Sequence, residues 1–189
     1  MTEPSESILE QFDKAAGSVG LSYFLIGGFA ASYWGTPRFT ADVDYVISQS
    51  SFEKAVEATG KIGYNLIFKH PKQSFAHFAN ETKQGFRIDF MLCDKSTWQK
   101  LESDSSFAEL GGSRPYPIVS PLHLIAMKLH AAKQNDRVDI YKDLNDIAEI
   151  LRVQELTFDD LDKAGIIEKH GTEKTLTQLR SILESKRGS

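Results

Sequence analysis

Two aspartates lie two positions apart at the start of an apolar run, and this spacing suits metal-dependent chemistry. Asp42 and Asp44 are followed directly by the segment Tyr45–Ile47. Successive side chains of a strand point to opposite faces, so both carboxylates lie on one face. Adjacent carboxylates repel each other unless a cation lies between them, and Mg²⁺ is the usual cation where phosphate oxygens supply further ligands. The pattern therefore predicts a metal site at these two residues.

A double glycine upstream of the aspartates suits phosphate binding. Gly27 and Gly28 follow the apolar run Tyr23–Ile26 and precede a short helical pattern that ends at Gly35 and Pro37. A glycine turn that opens a helix leaves backbone N–H groups free for an anion. By itself a glycine pair is equally typical of a simple tight turn.

Asp89 is the third acidic candidate, on the second strand of a predicted hairpin with strands over 74–80 and 86–93 and a turn over 82–85. Phe86, Ile88, Phe90 and Leu92 alternate there with Arg87, Asp89, Met91 and Cys93. If this strand neighbours that of Asp42 and Asp44, three carboxylates meet, enough to hold two metal ions against an attacking and a leaving oxygen. The alternative is an edge-strand aspartate paired with Arg87.

Basic residues near these positions are candidates for phosphate contacts. Arg38 precedes the acidic pair and suits either a phosphate contact or a surface position. Lys128 borders an apolar helical stripe, from which a long side chain can reach a cleft or extend to solvent. On the next helix we expect Lys142 and Asp143 to lie on a solvated, self-paired face.

The composition is that of an ordinary globular protein. The chain has 189 residues, 41% hydrophobic and 25% charged, with a net charge of -4, which excludes a broadly basic surface that coats nucleic acid. Cys93 is the only cysteine, so an internal disulfide is excluded. The sequence contains neither a secretory signal nor an apolar run of membrane-spanning length. We therefore expect a cytoplasmic location. The five histidines show no metal-ligand spacing.

The elements that must position these residues predict the α+β class. Strands mixed with helices occupy residues 1–119, and helices alone follow from Ser120-Pro121, a typical helix start. We predict a mixed β-sheet flanked by helices as the core, with a helical C-terminal region over 120–189 packed on it. The last two predicted helices cover 158–169 and 172–184.

Two runs of the sequence resemble a known superfamily. The run Gly27-Gly28-Phe29-Ala30-Ala31, followed by Arg38-x-Thr40-x-Asp42-x-Asp44, resembles the nucleotidyltransferase fold of polymerase beta and kanamycin nucleotidyltransferase. It is most similar to small bacterial nucleotidyltransferase-like proteins that include abortive-infection toxins of the AbiEii type. Leu124–Leu129 and Lys142-Asp143-Leu144-x-Asp146 resemble the lysine and (R/K)-D-x-x-D helices of that group. The likeness covers roughly residues 20–150.

The resemblance implies two Mg²⁺ (or Mn²⁺) ions and transfer of a nucleoside monophosphate from a nucleoside triphosphate to an acceptor. By this analogy Asp42 and Asp44 bind both metal ions, and Asp89 binds the one nearer the acceptor. The implied nucleotide-binding residues are Gly27, Gly28, Arg38, Thr40 and Lys128. The sequence departs from the group at Gly28, where serine is usual, and at Lys142, where arginine is usual.

These features predict a bacterial, Mg²⁺-dependent nucleotidyltransferase with a nucleoside triphosphate as substrate and no membrane partner. The acceptor stays open among RNA such as tRNA, a protein and a small molecule. The resemblance also predicts the toxin of a toxin–antitoxin or phage-defence pair, with an antitoxin protein as partner. One alternative is a non-catalytic nucleotide-binding or partner-binding module that retains the fold. Another is an enzyme that modifies aminoglycosides, which would need an acid-lined pocket.

Overall fold

The computed structural model describes residues 7–70, 74–80, 87–133 and 140–187. Within these ranges a mixed seven-stranded sheet and flanking helices confirm the predicted α+β class and nucleotidyltransferase-like fold. The strands are β1 (Phe24–Leu25), β2 (Asp42–Ser48), β3 (Asn65–Lys69), β4 (Phe75–Ala79), β5 (Arg87–Cys93), β6 (Ser106–Ala108) and β7 (Tyr116–Ile118). The helices are α1 (Ile8–Val19), α2 (Gly27–Trp34), α3 (Phe52–Lys61), α4 (Lys95–Ser103), α5 (Pro121–Ala132), α6 (Ile140–Val153), α7 (Phe158–Lys163), α8 (Ile166–His170) and α9 (Glu173–Arg187).

The chain divides into two compact units. The first contains Met1–Phe29 and Phe39–Val119, and the second contains Ala30–Arg38 and Ser120–Ser189. The division therefore falls inside α2, which no sequence pattern indicates. We keep the boundary between residues 119 and 120 as a proposal for the domain organisation.

The sheet belongs to the first unit, and its strand order places the acidic strands side by side. The order is β3-β4-β5-β2-β1-β7-β6. Strands β2 and β5 run parallel, with Asp44 directly opposite Asp89 and Asp42 opposite Arg87. This confirms that the two strands are neighbours. Strand β4 runs antiparallel to β5 on its other side and places His77 opposite Asp89. The predicted turn over 82–85 and Phe86 lie outside the described residues.

An aromatic cluster fills the core on the opposite face of this sheet from the aspartates. Phe12 of α1 is fully buried and stacks on Tyr45, with 4.2 Å between the ring centroids. Its ring also lies 5.1 Å from Tyr23 and 5.7 Å from Phe90. Tyr45 and Phe90 alternate with Asp44 and Asp89, so burying these rings directs the carboxylates to the other face.

The second unit is helical, and its first helix begins as the sequence predicts. The Ser120 hydroxyl accepts a hydrogen bond from the His123 N–H (3.3 Å), and Pro121 occupies the first turn of α5. The single helix predicted over 158–169 is wrong, because α7 and α8 are separate helices. Gly165 between them adopts a left-handed φ of 67°, which ends the first helix. None of the helices in the described ranges has the length and apolar character needed to cross a bilayer.

One glutamate connects three segments of the second unit. In α6, Glu149 contacts Lys186 Nζ of α9 and Thr36 Oγ1, each at 2.5 Å. Arg152 Nη2 lies 2.8 Å from the same carboxylate. These hydrogen bonds, that of Lys186 foremost, lower the pKa of Glu149 to about 2. The ionised carboxylate therefore stabilises the folded second unit.

We expect Phe12→Ala to lower the free energy of unfolding by about 3–5 kcal/mol, because it removes a fully buried ring and leaves a cavity. Phe39→Ala is the matched control, since that ring is 86% exposed, and its effect should stay within about 0.5 kcal/mol. Urea denaturation followed by circular dichroism measures both. Equal losses in the two variants would contradict the assignment of Phe12 to the core.

We expect the Glu149 contribution to stability to depend on pH. Its pKa falls from 4.5 to about 2 on folding, so the stabilisation is complete above pH 4.5 and is lost as the pH falls from there toward 2. The Tm of Glu149→Gln should therefore fall less steeply than that of the wild type between about pH 5 and pH 3. Lys186→Met should reproduce part of this change. A wild-type slope in Glu149→Gln would refute the assignment.

Candidate active site

The double glycine of the first unit lies directly against the acidic strand. Gly27 has a left-handed φ of 62°, and a Cβ built on it would collide with the Asp44 carboxylate. A Cβ on Gly28 would collide with the Thr40 side chain. The Gly28 N–H donates a long hydrogen bond (3.4 Å) to Asp44 Oδ2. Glycine is therefore required here so that the start of α2 can approach Asp44 and Thr40 closely.

Asp42 and Asp89 are joined by the guanidinium of Arg87. Arg87 Nη2 donates to Asp42 Oδ2 (3.0 Å), and Arg87 Nε lies 3.2 Å from Asp89 Oδ1 and 3.3 Å from Asp89 Oδ2. His77 Nδ1 lies 2.5 Å from Asp89 Oδ1, where an Nδ1–H donates to the carboxylate. The pairing of Asp89 with Arg87, which the sequence left as an alternative, is therefore present together with the approach of Asp89 to Asp42.

Asp89 is the most buried of the three predicted catalytic carboxylates. It is 4% exposed, and this burial raises its pKa above the ordinary value. The His77 hydrogen bond and the charges of His77 and Arg87 oppose that rise without cancelling it. The contacts with His77 and Arg87 therefore offset part of the cost of burying this carboxylate.

The chemistry of these side chains suits Mg²⁺, but their present geometry does not form a complete metal site. Carboxylate oxygens are the hard ligands that Mg²⁺ prefers. Among the described residues, however, no three His, Cys, Asp or Glu side chains are placed together to hold a metal ion. At Asp42 and Asp89 the guanidinium of Arg87 is the cation in contact with the carboxylate oxygens.

A second charged cluster lies in the second unit. Lys128 Nζ is 3.1 Å from Asp143 Oδ1 and 2.7 Å from Asp146 Oδ2. Arg38 makes a two-armed contact with Asp146, from Nε at 2.7 Å and Nη2 at 2.8 Å. Burial would raise the pKa of Asp146, but the hydrogen bond from Arg38 and the charge of Lys128 outweigh it and lower that pKa. Cations and carboxylates here neutralise each other.

The predicted site residues thus divide between the two units. Asp42, Asp44, Asp89, Gly27, Gly28 and Thr40 belong to the first unit, whereas Arg38 and Lys128 belong to the second. Within the second unit, both of these basic residues contact Asp146. The solvated face expected at Asp143 is wrong, because this carboxylate is only 3% exposed and binds Lys128.

Sequence reasoning missed His77, because it searched the histidines for metal-ligand spacing alone. The signal lay in the predicted hairpin, since symmetric pairing about a turn over 82–85 brings His77 to within one position of Asp89. The structure places the two residues directly opposite each other. Asp146 was noticed only as part of a helix motif, and its partners Arg38 and Lys128 are distant in sequence.

The sheet, its paired acidic strands and its helical second unit define the class of protein as a nucleotidyltransferase fold. Residues 12–187 match the sequence profile of the nucleotidyl transferase AbiEii toxin of type IV toxin–antitoxin systems. The chain belongs to this family and is an enzyme of the nucleotidyltransferase class. No curated protein sequence matches it significantly.

Solved structures share the fold at low sequence identity. ANT(2'')-Ia in complex with adenylyl-2''-tobramycin is 13% identical with a TM-score of 0.64, covering 86% of this chain and 96% of that one. The lincosamide adenylyltransferase LnuA, lincomycin-bound, is 15% identical with a TM-score of 0.51, covering 82% and 100%. A putative nucleotidyltransferase from Thermotoga maritima is 16% identical with a TM-score of 0.51, covering 73% and 91%.

We expect Gly27→Ala to lower the free energy of unfolding by more than backbone strain alone would. An alanine with left-handed φ costs about 1–2 kcal/mol, and here its Cβ would also displace the Asp44 carboxylate. Gly111→Ala is the matched control, because Gly111 has a φ of 78° but nothing within 4 Å of the added Cβ. Urea denaturation should show a larger loss of unfolding free energy in Gly27→Ala than in Gly111→Ala. Equal losses would mean that the approach to Asp44 does not constrain this position.

Proposed function

We propose that this chain is a Mg²⁺-dependent (or Mn²⁺-dependent) nucleotidyltransferase that moves a nucleoside monophosphate from a nucleoside triphosphate to an acceptor. The observation that carries the proposal is the register of β2 and β5, in which Asp44 lies directly opposite Asp89 and Asp42 shares their face. Family membership supports the reaction class and a toxin role. We further propose an antitoxin protein as partner and the cytoplasm as location.

Asp42, Asp44 and Asp89 are the residues that would hold the metal ions. When bound, such ions neutralise triphosphate charge and activate the attacking hydroxyl. The contact between Asp44 and the start of α2 sets that carboxylate in place, and His77 holds one oxygen of Asp89. Holding Asp44 and Asp89 in place lowers the cost of assembling the reacting groups.

Gly27, Gly28, Arg38, Thr40 and Lys128 are the proposed nucleotide contacts. Gly28 and Thr40 are in mutual contact beside Asp44, so they supply backbone and hydroxyl groups next to the proposed metal ligands. The guanidinium of Arg38 and the ammonium of Lys128 are cations that suit phosphate. Their shared carboxylate, Asp146, holds both head groups in fixed positions until an anionic ligand competes for them.

The acceptor class is decided by a labelling experiment. The protein is incubated with each α-³²P-labelled nucleoside triphosphate and Mg²⁺ or Mn²⁺, in the presence of tRNA, total protein or aminoglycosides. Label in one of these pools identifies the acceptor. A parallel γ-³²P reaction should transfer no label, because a nucleotidyl transfer carries the α-phosphate. Nucleotide binding without transfer to any pool would favour the non-catalytic alternative.

We expect Asp44→Asn to abolish metal-dependent transfer, with a loss on the order of 100-fold or more, because the amide removes one negative charge from the proposed metal ligands. Asp159→Asn is the control, since its carboxylate lies 70% exposed in a surface pair with Lys163. It should transfer at the wild-type rate. Circular dichroism checks that both variants fold. Full transfer activity in folded Asp44→Asn would rule out the catalytic assignment.

A further inference from the structure

The carboxylates of the candidate active site already have a cation of their own. The guanidinium of Arg87 contacts both Asp42 and Asp89, which lie on neighbouring strands. It reaches both because Arg87 lies opposite Asp42 in the β2–β5 register and two positions before Asp89 on the same strand face. A single side chain therefore neutralises two of the three proposed metal ligands.

Arg87 and a divalent cation compete for the same oxygens. Asp42 Oδ2 accepts the hydrogen bond from Arg87 Nη2. Both oxygens of Asp89 lie within 3.3 Å of Arg87 Nε. A guanidinium and a dication repel each other, so they cannot share these ligands at close range.

We propose that Arg87 is the resting counter-cation of Asp42 and Asp89, and that a divalent cation binds only as the guanidinium leaves these oxygens. This inference rests on the proposed function and concerns the metal affinity of the same site. Arg87 thereby sets that affinity, making metal binding weaker than three free carboxylates would allow.

The surroundings allow Arg87 to leave while Asp89 stays in place. The Arg87 side chain is 49% exposed, so it can turn into solvent, whereas the Asp89 side chain is 5% exposed. His77 retains its contact with Asp89 Oδ1, and the Phe75 ring packs edge-on against His77 at 4.3 Å between centroids. Asp89 therefore keeps one partner, and its second oxygen becomes available.

If Arg87 instead orients the metal ligands permanently, removing it should change the metal affinity in the opposite direction. If Arg87 permanently orients Asp42 and Asp89 for the metal, its removal disorders the ligands and weakens binding. If it is displaced by the metal, its removal ends a competition and tightens binding. The direction of the change in metal affinity therefore separates the two roles.

The test measures Mn²⁺ binding to the full chain without nucleotide, from the electron paramagnetic resonance signal of free Mn²⁺. Arg87→Gln should lower the Kd about tenfold, comparable to the effect of a neighbouring charge on proton affinity. Arg87→Lys keeps a cation but loses the two-armed contact. Its Kd should therefore lie between those of the wild type and Arg87→Gln. Arg114→Gln is the matched control, because Arg114 pairs through its Nε with another buried aspartate, Asp13. Its Kd should equal that of the wild type.

An unchanged or higher Kd in folded Arg87→Gln would overturn the inference. If that variant does not fold, the same criterion applies to Arg87→Lys. Asp44→Asn, measured in parallel, separates this failure from failure of the proposed function. If wild type binds Mn²⁺, Asp44→Asn does not, and Arg87→Gln equals wild type, only the role of Arg87 is wrong. If neither wild type nor Arg87→Gln binds Mn²⁺, the metal-dependent function is wrong as well.

Discussion

Four aspartates are buried in the described part of the chain, and each contacts a basic side chain. Their partners are Arg114 for Asp13, His77 and Arg87 for Asp89, Lys128 for Asp143, and Lys128 with Arg38 for Asp146. A buried carboxylate without a partner would be costly, so each pairing offsets the cost of burying its charge. The candidate active site follows the same constraint.

The constraint bears on the proposed function, because the charged side chains proposed to contact metal ions or phosphates already have partners within their own units. The first unit places Arg87 between Asp42 and Asp89, and the second unit places Asp146 between Arg38 and Lys128. Each cluster is internally neutralised. Under the proposed function, ligand binding would exchange these partners for the ligand, and the cost of separating them would limit the affinity.

Steric constraints complement the electrostatic ones at the start of α2. The absence of side chains at Gly27 and Gly28 lets Asp44 and Thr40 approach the backbone closely. A serine in place of Gly28, as is usual in the related group, would place its Cβ where the Thr40 side chain lies. Glycine at position 28 therefore leaves room for the Thr40 side chain where it lies.

The sequence by itself determined the local features of this protein. An apolar run identified β2, and period-two alternation identified β5. Asp42 and Asp44 were placed on one face, and Asp89 on the face away from Ile88 and Phe90, because side-chain direction along a strand is a local property. Ser120-Pro121 marked the start of α5, because helix capping also depends on residues that are adjacent in sequence. Periodicity was a weaker guide at Gly165. The apolar spacing continues from α7 into α8, but the left-handed conformation of Gly165 interrupts the helical backbone between them.

Only the tertiary structure decided which of these features meet. Strand adjacency, the pairing of His77 with Asp89 and the contacts of Asp146 with Arg38 and Lys128 join residues 12 to 108 positions apart. Such contacts depend on the packing of the whole unit, and a one-residue change of register would reverse the faces. A sequence pattern shows which charges a chain carries. Which charge neutralises which is determined by folding, because burial makes each pairing obligatory only once the surrounding core has formed.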